Sequence, residues 1–85
     1  MNEDEIRSIF LKEINRIAPD IDTNAVSDQD HLQDDLELDS MDILNLVTAL
    51  HARLGLSIPE TDYSEIATPG KAVRYLAARI GQSNG

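Results

Sequence analysis

Apolar residues recur at helical spacing in three separate stretches of the chain. In the first, Ile6, Ile9, Phe10, Ile14 and Ile17 form a stripe that stops before Pro19, and Asn2 with Glu5 three residues on supplies a capping box. In the second, Ile43, Leu46, Val47, Leu50 and Leu54 share one arc at about 100° per residue. Asp39 caps that helix, Asp42 stands at its third helical position, and Gly55 stops it. The third opens on "TPG", with Thr68 as cap and Pro69 in the first position, and points Val73, Leu76, Ala77 and Ile80 inward. A shorter piece, "DYSEIA", reads as helical from Asp62, with Glu65 completing a capping box and Tyr63 and Ile66 offered to the core. "LSIP" at 56–59 alternates too briefly for a strand and ends in Pro59. The expected fold is all-α: a small four-helix bundle with a long first loop and a short third helix.

The connection from Ala18 to Leu38 is longer than helix connections in compact bundles usually are. Within it, "SDQDHL" has the makings of one helical turn capped by Ser27, and Leu32, Leu36 and Leu38 are spaced to pin the loop to the bundle. An ordered loop that sets the start of the second helix is expected. Glu13 falls inside the first apolar stripe and reads as a carboxylate snorkelling at the rim of the core. One domain over residues 1–81 is expected, with 82–85 as a flexible tail.

Charge sharpens this picture because it is segregated. Of 16 acidic residues, nine lie between Ile17 and Ala52, where there is no Lys or Arg, so the whole net charge of −9 resides in that segment. Such a field repels nucleic acid and anionic membrane and steers the chain toward basic patches on partner proteins. With no cysteine, neither a disulfide framework nor thiol chemistry can come from the polypeptide. The acidic start and the lack of a long apolar run make a soluble, monomeric cytoplasmic protein the expectation.

Enzymatic and metal readings fail on spacing. Asp28 and Asp30 could open a calcium loop, but Leu32 stands at its fifth position, Gln33 where the turn needs glycine, and Asp39 where a glutamate should close it. No metal site is expected. A Ser-His-Asp set would need a histidine at Ser40, and His51 lies three helical turns away, about 16 Å along the axis. An autonomous enzyme is not expected, and the chain reads as having no catalytic residues of its own.

Ser40 remains to be explained. It sits in the first turn of the second helix at the edge of the core arc, with Leu44 and Thr48 continuing a shallow outer strip and Met41 turned toward solvent. A helix amino end carries unsatisfied N–H groups and a partial positive charge, so a phosphate attached there would be stabilised. The flanking Asp39 and Asp42 could hold a metal ion or a basic enzyme surface during attachment.

From Leu36 to Ile80, "LELDSMDILNLVTALHARLGLSIPETDYSEIATPGKAVRYLAARI" resembles the stand-alone acyl carrier proteins. The shared features are an Asp-Ser-Leu-like motif heading an aliphatic helix, an "IP" turn, a short helix and a final helix. The resemblance implies that Ser40, with Asp39 beside it, is the attachment site for 4'-phosphopantetheine transferred from coenzyme A by a separate phosphopantetheinyl transferase. The arm then carries an acyl or aminoacyl thioester to loading, condensing and transfer enzymes with basic docking patches. By position, it implicates Glu37, Asp39, Met41, Asp42, Leu44, Asn45 and Thr48 in partner contact. The chain also departs from the family pattern. Met41 replaces the usual leucine, "LELDS" lacks a glycine that many members have just before the motif, and Asn45, His51 and Arg53 stand where fatty-acid-type members are acidic. These departures suggest a carrier dedicated to a specialised pathway. The alternative is an unmodified acidic adaptor that binds a basic partner.

Overall fold

The computed structural model describes residues 1–83. It contains three long helices, α1 (Glu3–Ile17), α2 (Ser40–Leu54) and α3 (Pro69–Ser83), and a 3₁₀ helix over Glu60–Ile66 occupies the place of the short third helix. The described residues include no strand. The all-α bundle expected from the periodicity is therefore the observed fold.

Local chemistry fixes both ends of the first two helices. At α1, the Glu5 N–H donates to Asn2 Oδ1 at 2.9 Å and the Asn2 N–H to Glu5 Oε1 at 3.3 Å. Reciprocal capping of this kind satisfies two otherwise orphaned donors. α2 ends at Gly55, whose left-handed φ of 69° lets its N–H reach the His51 carbonyl. Ile6, Phe10 and Ile14 of α1 meet Leu46 and Leu50 of α2 and Leu76 of α3 in a core where all six are fully buried. Ile9, Ile17, Leu54, Ala77 and Ile80 pack around its margin.

Three local expectations need correction. The segment expected to begin at Asp62 starts at Glu60, after Pro59, and is 3₁₀ in form with no side-chain cap. Its Asp62 carboxylate instead accepts from the Tyr75 hydroxyl at 2.6 Å, a partner on α3 that no local pattern could announce. Glu13 does not snorkel: it is 2% exposed, and both carboxylate oxygens accept from Arg16, at 3.2 and 3.3 Å. In the long loop the helical turn is Thr23–Ala25, capped by Asp22, while Ser27, its Oγ accepting from the Gln29 N–H at 3.2 Å, heads a non-helical turn closed by an Asp30 N–H to Ser27 carbonyl bond. The α3 backbone runs to Ser83, and residues 84 and 85 of the expected tail lie outside the described residues.

The loop is fastened at three levels. Arg7 holds the Asp28 carboxylate with two bonds, of 3.1 and 2.9 Å. The Asp28 carbonyl accepts from the Gly70 N–H at 3.0 Å, and a Cβ at position 70 would sit 3.0 Å from that oxygen, so glycine is what permits this approach of loop to helix. Farther along, Leu32 is buried and its N–H donates to the Ala67 carbonyl at 2.9 Å. Leu38, also buried, delivers the chain to α2.

Candidate functional site

Ser40 is the first residue of α2, and its position follows from its neighbours. Asp39 is the cap: its Oδ1 accepts from the Asp42 N–H at 2.9 Å, while Asp42 Oδ2 accepts from the Asp39 N–H at 3.2 Å. The two aspartates thus satisfy the helix end between them, which leaves the Ser40 hydroxyl without a capping duty and exposed to solvent.

Beside it runs a groove of about 660 Å³. One wall is α2, through Ser40, Met41, Ile43 and Leu44; the other is the 3₁₀ helix, through Tyr63 and Ile66; the loop from His31 to Asp34 closes one side. Apolar side chains form much of its lining, and Met41 and Leu44 stand 64% and 46% exposed at its lip. Large apolar groups left in water on an otherwise charged surface mark a contact region.

The 3₁₀ wall is held from behind. Tyr75 donates to Asp62, Arg79 Nη1 donates to the Tyr75 oxygen at 3.0 Å, and Arg79 Nη2 donates to the Ser57 carbonyl at 3.0 Å. Burial pushes the Tyr75 phenol above its ordinary range, the bond to Asp62 adds to the shift, and the Arg79 charge opposes it. The phenol therefore stays a donor throughout the neutral range.

Of the residues singled out in the sequence, Ser40, Met41 and Leu44 meet at the groove. Asn45 and Thr48 lie exposed farther along α2, the Thr48 hydroxyl donating to the Leu44 carbonyl at 2.9 Å. Glu37 and Asp39 precede the helix on the exposed surface and do not line the groove. Sequence patterns missed His31, Tyr63 and Ser64 as lining residues, because the loop is brought to the 3₁₀ segment by tertiary contacts such as the Leu32 to Ala67 bond. No group of three or more candidate metal ligands occurs among the described residues, where Asp28 is engaged by Arg7 and Asp30 accepts from the Ser27 N–H.

Glu37 has φ of 60°, the one non-glycine residue with positive φ among the described residues. Left-handed backbone costs an L-residue roughly 1–2 kcal/mol, so the segment lacking a glycine before the motif retains a glycine-type conformation there. Glu37→Gly should raise stability by about 0.5–1 kcal/mol, the strain relief being offset in part by the greater freedom of glycine in the unfolded chain. A urea denaturation midpoint that failed to rise would contradict this.

The site can be tested for fit to a covalently attached phosphate. The hydroxyl is reachable, it stands at the amino end of a 15-residue helix, and a groove able to receive a tethered group begins at it. The residues fit. A family model described as a phosphopantetheine attachment site matches residues 4–76. An acyl carrier protein of Picosynechococcus sp. is 31% identical over 78 residues, covering 92% of this chain and 90% of that one. A non-reducing polyketide synthase, Preu3 of Preussia isomera, is 38% identical over 55 residues, 65% of this chain but 2% of the synthase. In three dimensions, the acyl carrier protein from Enterococcus faecalis superposes with a TM-score of 0.72 at 31% identity, over 93% of this chain and 99% of that one. This chain belongs to the acyl carrier protein family, whose phosphopantetheine-binding domain carries a covalent 4'-phosphopantetheine.

Proposed function

We propose that Ser40 is the attachment point, and that this protein carries acyl or aminoacyl intermediates as thioesters for a specialised biosynthetic pathway. The observation that carries the reading is the exposed Ser40 hydroxyl, relieved of capping by Asp39 and Asp42 and opening onto the groove. In the loading step the Ser40 oxygen bonds to the phosphorus of coenzyme A that bears pantetheine. Adenosine 3',5'-bisphosphate leaves, and the serine proton passes to a base on the transferase. The helix amino end stabilises the resulting phosphodiester. The attached group supplies the thiol that a chain without cysteine lacks. A tether of this kind turns each encounter with a partner active site into a local, high-concentration event.

The chain's own residues then act as an address. Glu37, Asp39 and Asp42 present carboxylates around Ser40, and Met41 and Leu44 present apolar surface between them. Together they suit a transferase, or a loading or condensing enzyme, with a basic rim around an apolar pocket. Support for a specialised pathway comes from Asn45, His51 and Arg53, which make the far end of α2 less acidic, and from the likeness to a segment of a polyketide synthase. The carrier has no catalytic duty in this scheme.

Incubation with coenzyme A, magnesium and a promiscuous transferase, followed by mass mapping of peptides, tests the reading. One adduct on the peptide holding Ser40 is expected; no adduct, or one on another residue, would overturn it.

A further inference from the structure

We propose that His31 is a positioning residue that holds the phosphodiester of the Ser40-linked arm, an inference that rests on the attachment reading above. The groove beside Ser40 has no Lys or Arg in its lining, and His31 is its single side chain able to carry a positive charge. The shortage extends beyond the groove, for no Lys or Arg occurs from Ile17 to Ala52. A phosphodiester on Ser40 would enter a strongly negative setting, with Asp39 and Asp42 at the end of α2, Asp34 on the loop, and Glu60 at the start of the 3₁₀ helix. Tyr63 contributes a neutral phenol to the same wall. The helix amino end offsets part of this repulsion, and an imidazolium across the groove would offset more.

His31 is well placed to do this without disturbing the fold. Its backbone is fixed by three bonds: its N–H donates to Asp35 Oδ2 at 2.7 Å, and its carbonyl accepts from the N–H groups of Asp35 and Leu36 at 2.8 and 3.1 Å. The side chain is exposed and has no hydrogen-bond partner of its own among the described residues. Of the neighbouring acids, Asp35 is occupied by the His31 amide and Asp30 by the Ser27 amide. The ring is therefore anchored at its base and uncommitted at its tip. The second histidine offers an internal control, because His51 lies at the far end of α2 with its Nδ1 3.2 Å from the Leu56 carbonyl.

The test is a pH titration of both histidine rings by proton NMR, and of the phosphodiester by phosphorus NMR, in apo and loaded protein. Mass spectrometry first establishes one adduct on Ser40. Loading should move the His31 midpoint upward, the direction that a new negative charge in the shared groove imposes on an imidazole. The His51 midpoint should not move. The phosphorus resonance should inflect at the His31 midpoint, lose that inflection in His31→Gln, and in His31→Lys regain a shifted position that is constant through the neutral range. A His31 midpoint unchanged by loading, or moving no more than that of His51, would overturn the proposal while leaving the attachment reading intact. Absence of the adduct would overturn both.

Discussion

Ser40→Ala should abolish loading completely while leaving the melting temperature within about a degree of the parent. The two halves of this expectation have separate causes. On the proposed attachment, no other side chain can take the phosphopantetheine group in the same place, because Ser40 bears the single hydroxyl at the head of α2. Stability is spared because the residue is exposed and the cap belongs to Asp39 and Asp42; surface substitutions away from caps and cores usually lie within about 0.5 kcal/mol, and alanine is a good helix former. Intact mass after incubation with coenzyme A and transferase reads the first half, and thermal unfolding the second. In cells the same variant discriminates a carrier from an unmodified acidic adaptor. The carrier loses its function with the hydroxyl, whereas an adaptor working through Met41, Leu44 and the carboxylates would keep it. A large fall in melting temperature would show that the serine has a structural role that the capping geometry denies.

The second large effect is expected at a residue that looks expendable. Arg16 is 69% exposed, yet it is the partner of Glu13, whose side chain is 2% exposed. Removing one member of a buried pair typically costs 3–5 kcal/mol because the other charge is left desolvated. Exposure of the guanidinium means that water screens part of the pair, so about 2 kcal/mol is expected for Arg16→Ala. That is a large fraction of the stability of so small a domain. Glu13→Leu, by contrast, replaces the buried carboxylate with an apolar side chain and should change stability by less than about 1 kcal/mol in either direction. In the Glu13→Leu background the Arg16 substitution should become nearly neutral, since there is no charge left to strand. Urea unfolding of the four proteins completes the cycle. Equal costs of Arg16→Ala in both backgrounds would show that the arginine acts by packing alone.

These two residues also show where sequence reading succeeds and where it stops. The capping boxes at Asn2 and Asp39 and the glycine stop at 55 were legible because each is a contact between residues three or four apart. The buried faces of α1 and α2 were legible for the same reason, a period of 3.6 residues. Glu13 was misread because periodicity marks a face and cannot say how deep it lies or who neutralises a charge there. The 3₁₀ helix was expected two residues late and given the wrong cap, since Asp62 is claimed by Tyr75, thirteen residues away, and its carboxylate is then lost to the local turn. Ser40 stood out through its motif and flanking acids. The groove beside it did not, because it is made by three segments brought together by Leu32, Ala67 and the packing of Ile66. Glu37 gave no sign of its left-handed backbone, a conformation that its residue type disfavours.

The bonds at Asp28 have a further consequence for how force and motion pass along the crossover between α1 and α2. Riveted at mid-span to Arg7 on one side and Gly70 on the other, residues 18–39 behave as two short spans sharing a pier. Each span has less slack than the whole, and closure entropy rises with the logarithm of length, so neither half needs a large core of its own to stay put. The downstream half leads to Ser40, and it inherits its bearing from Asp28 and Leu32, insulated from whatever happens at the end of α1. A displacement imposed at the head of α2 is therefore met at the pier, close to where it arises.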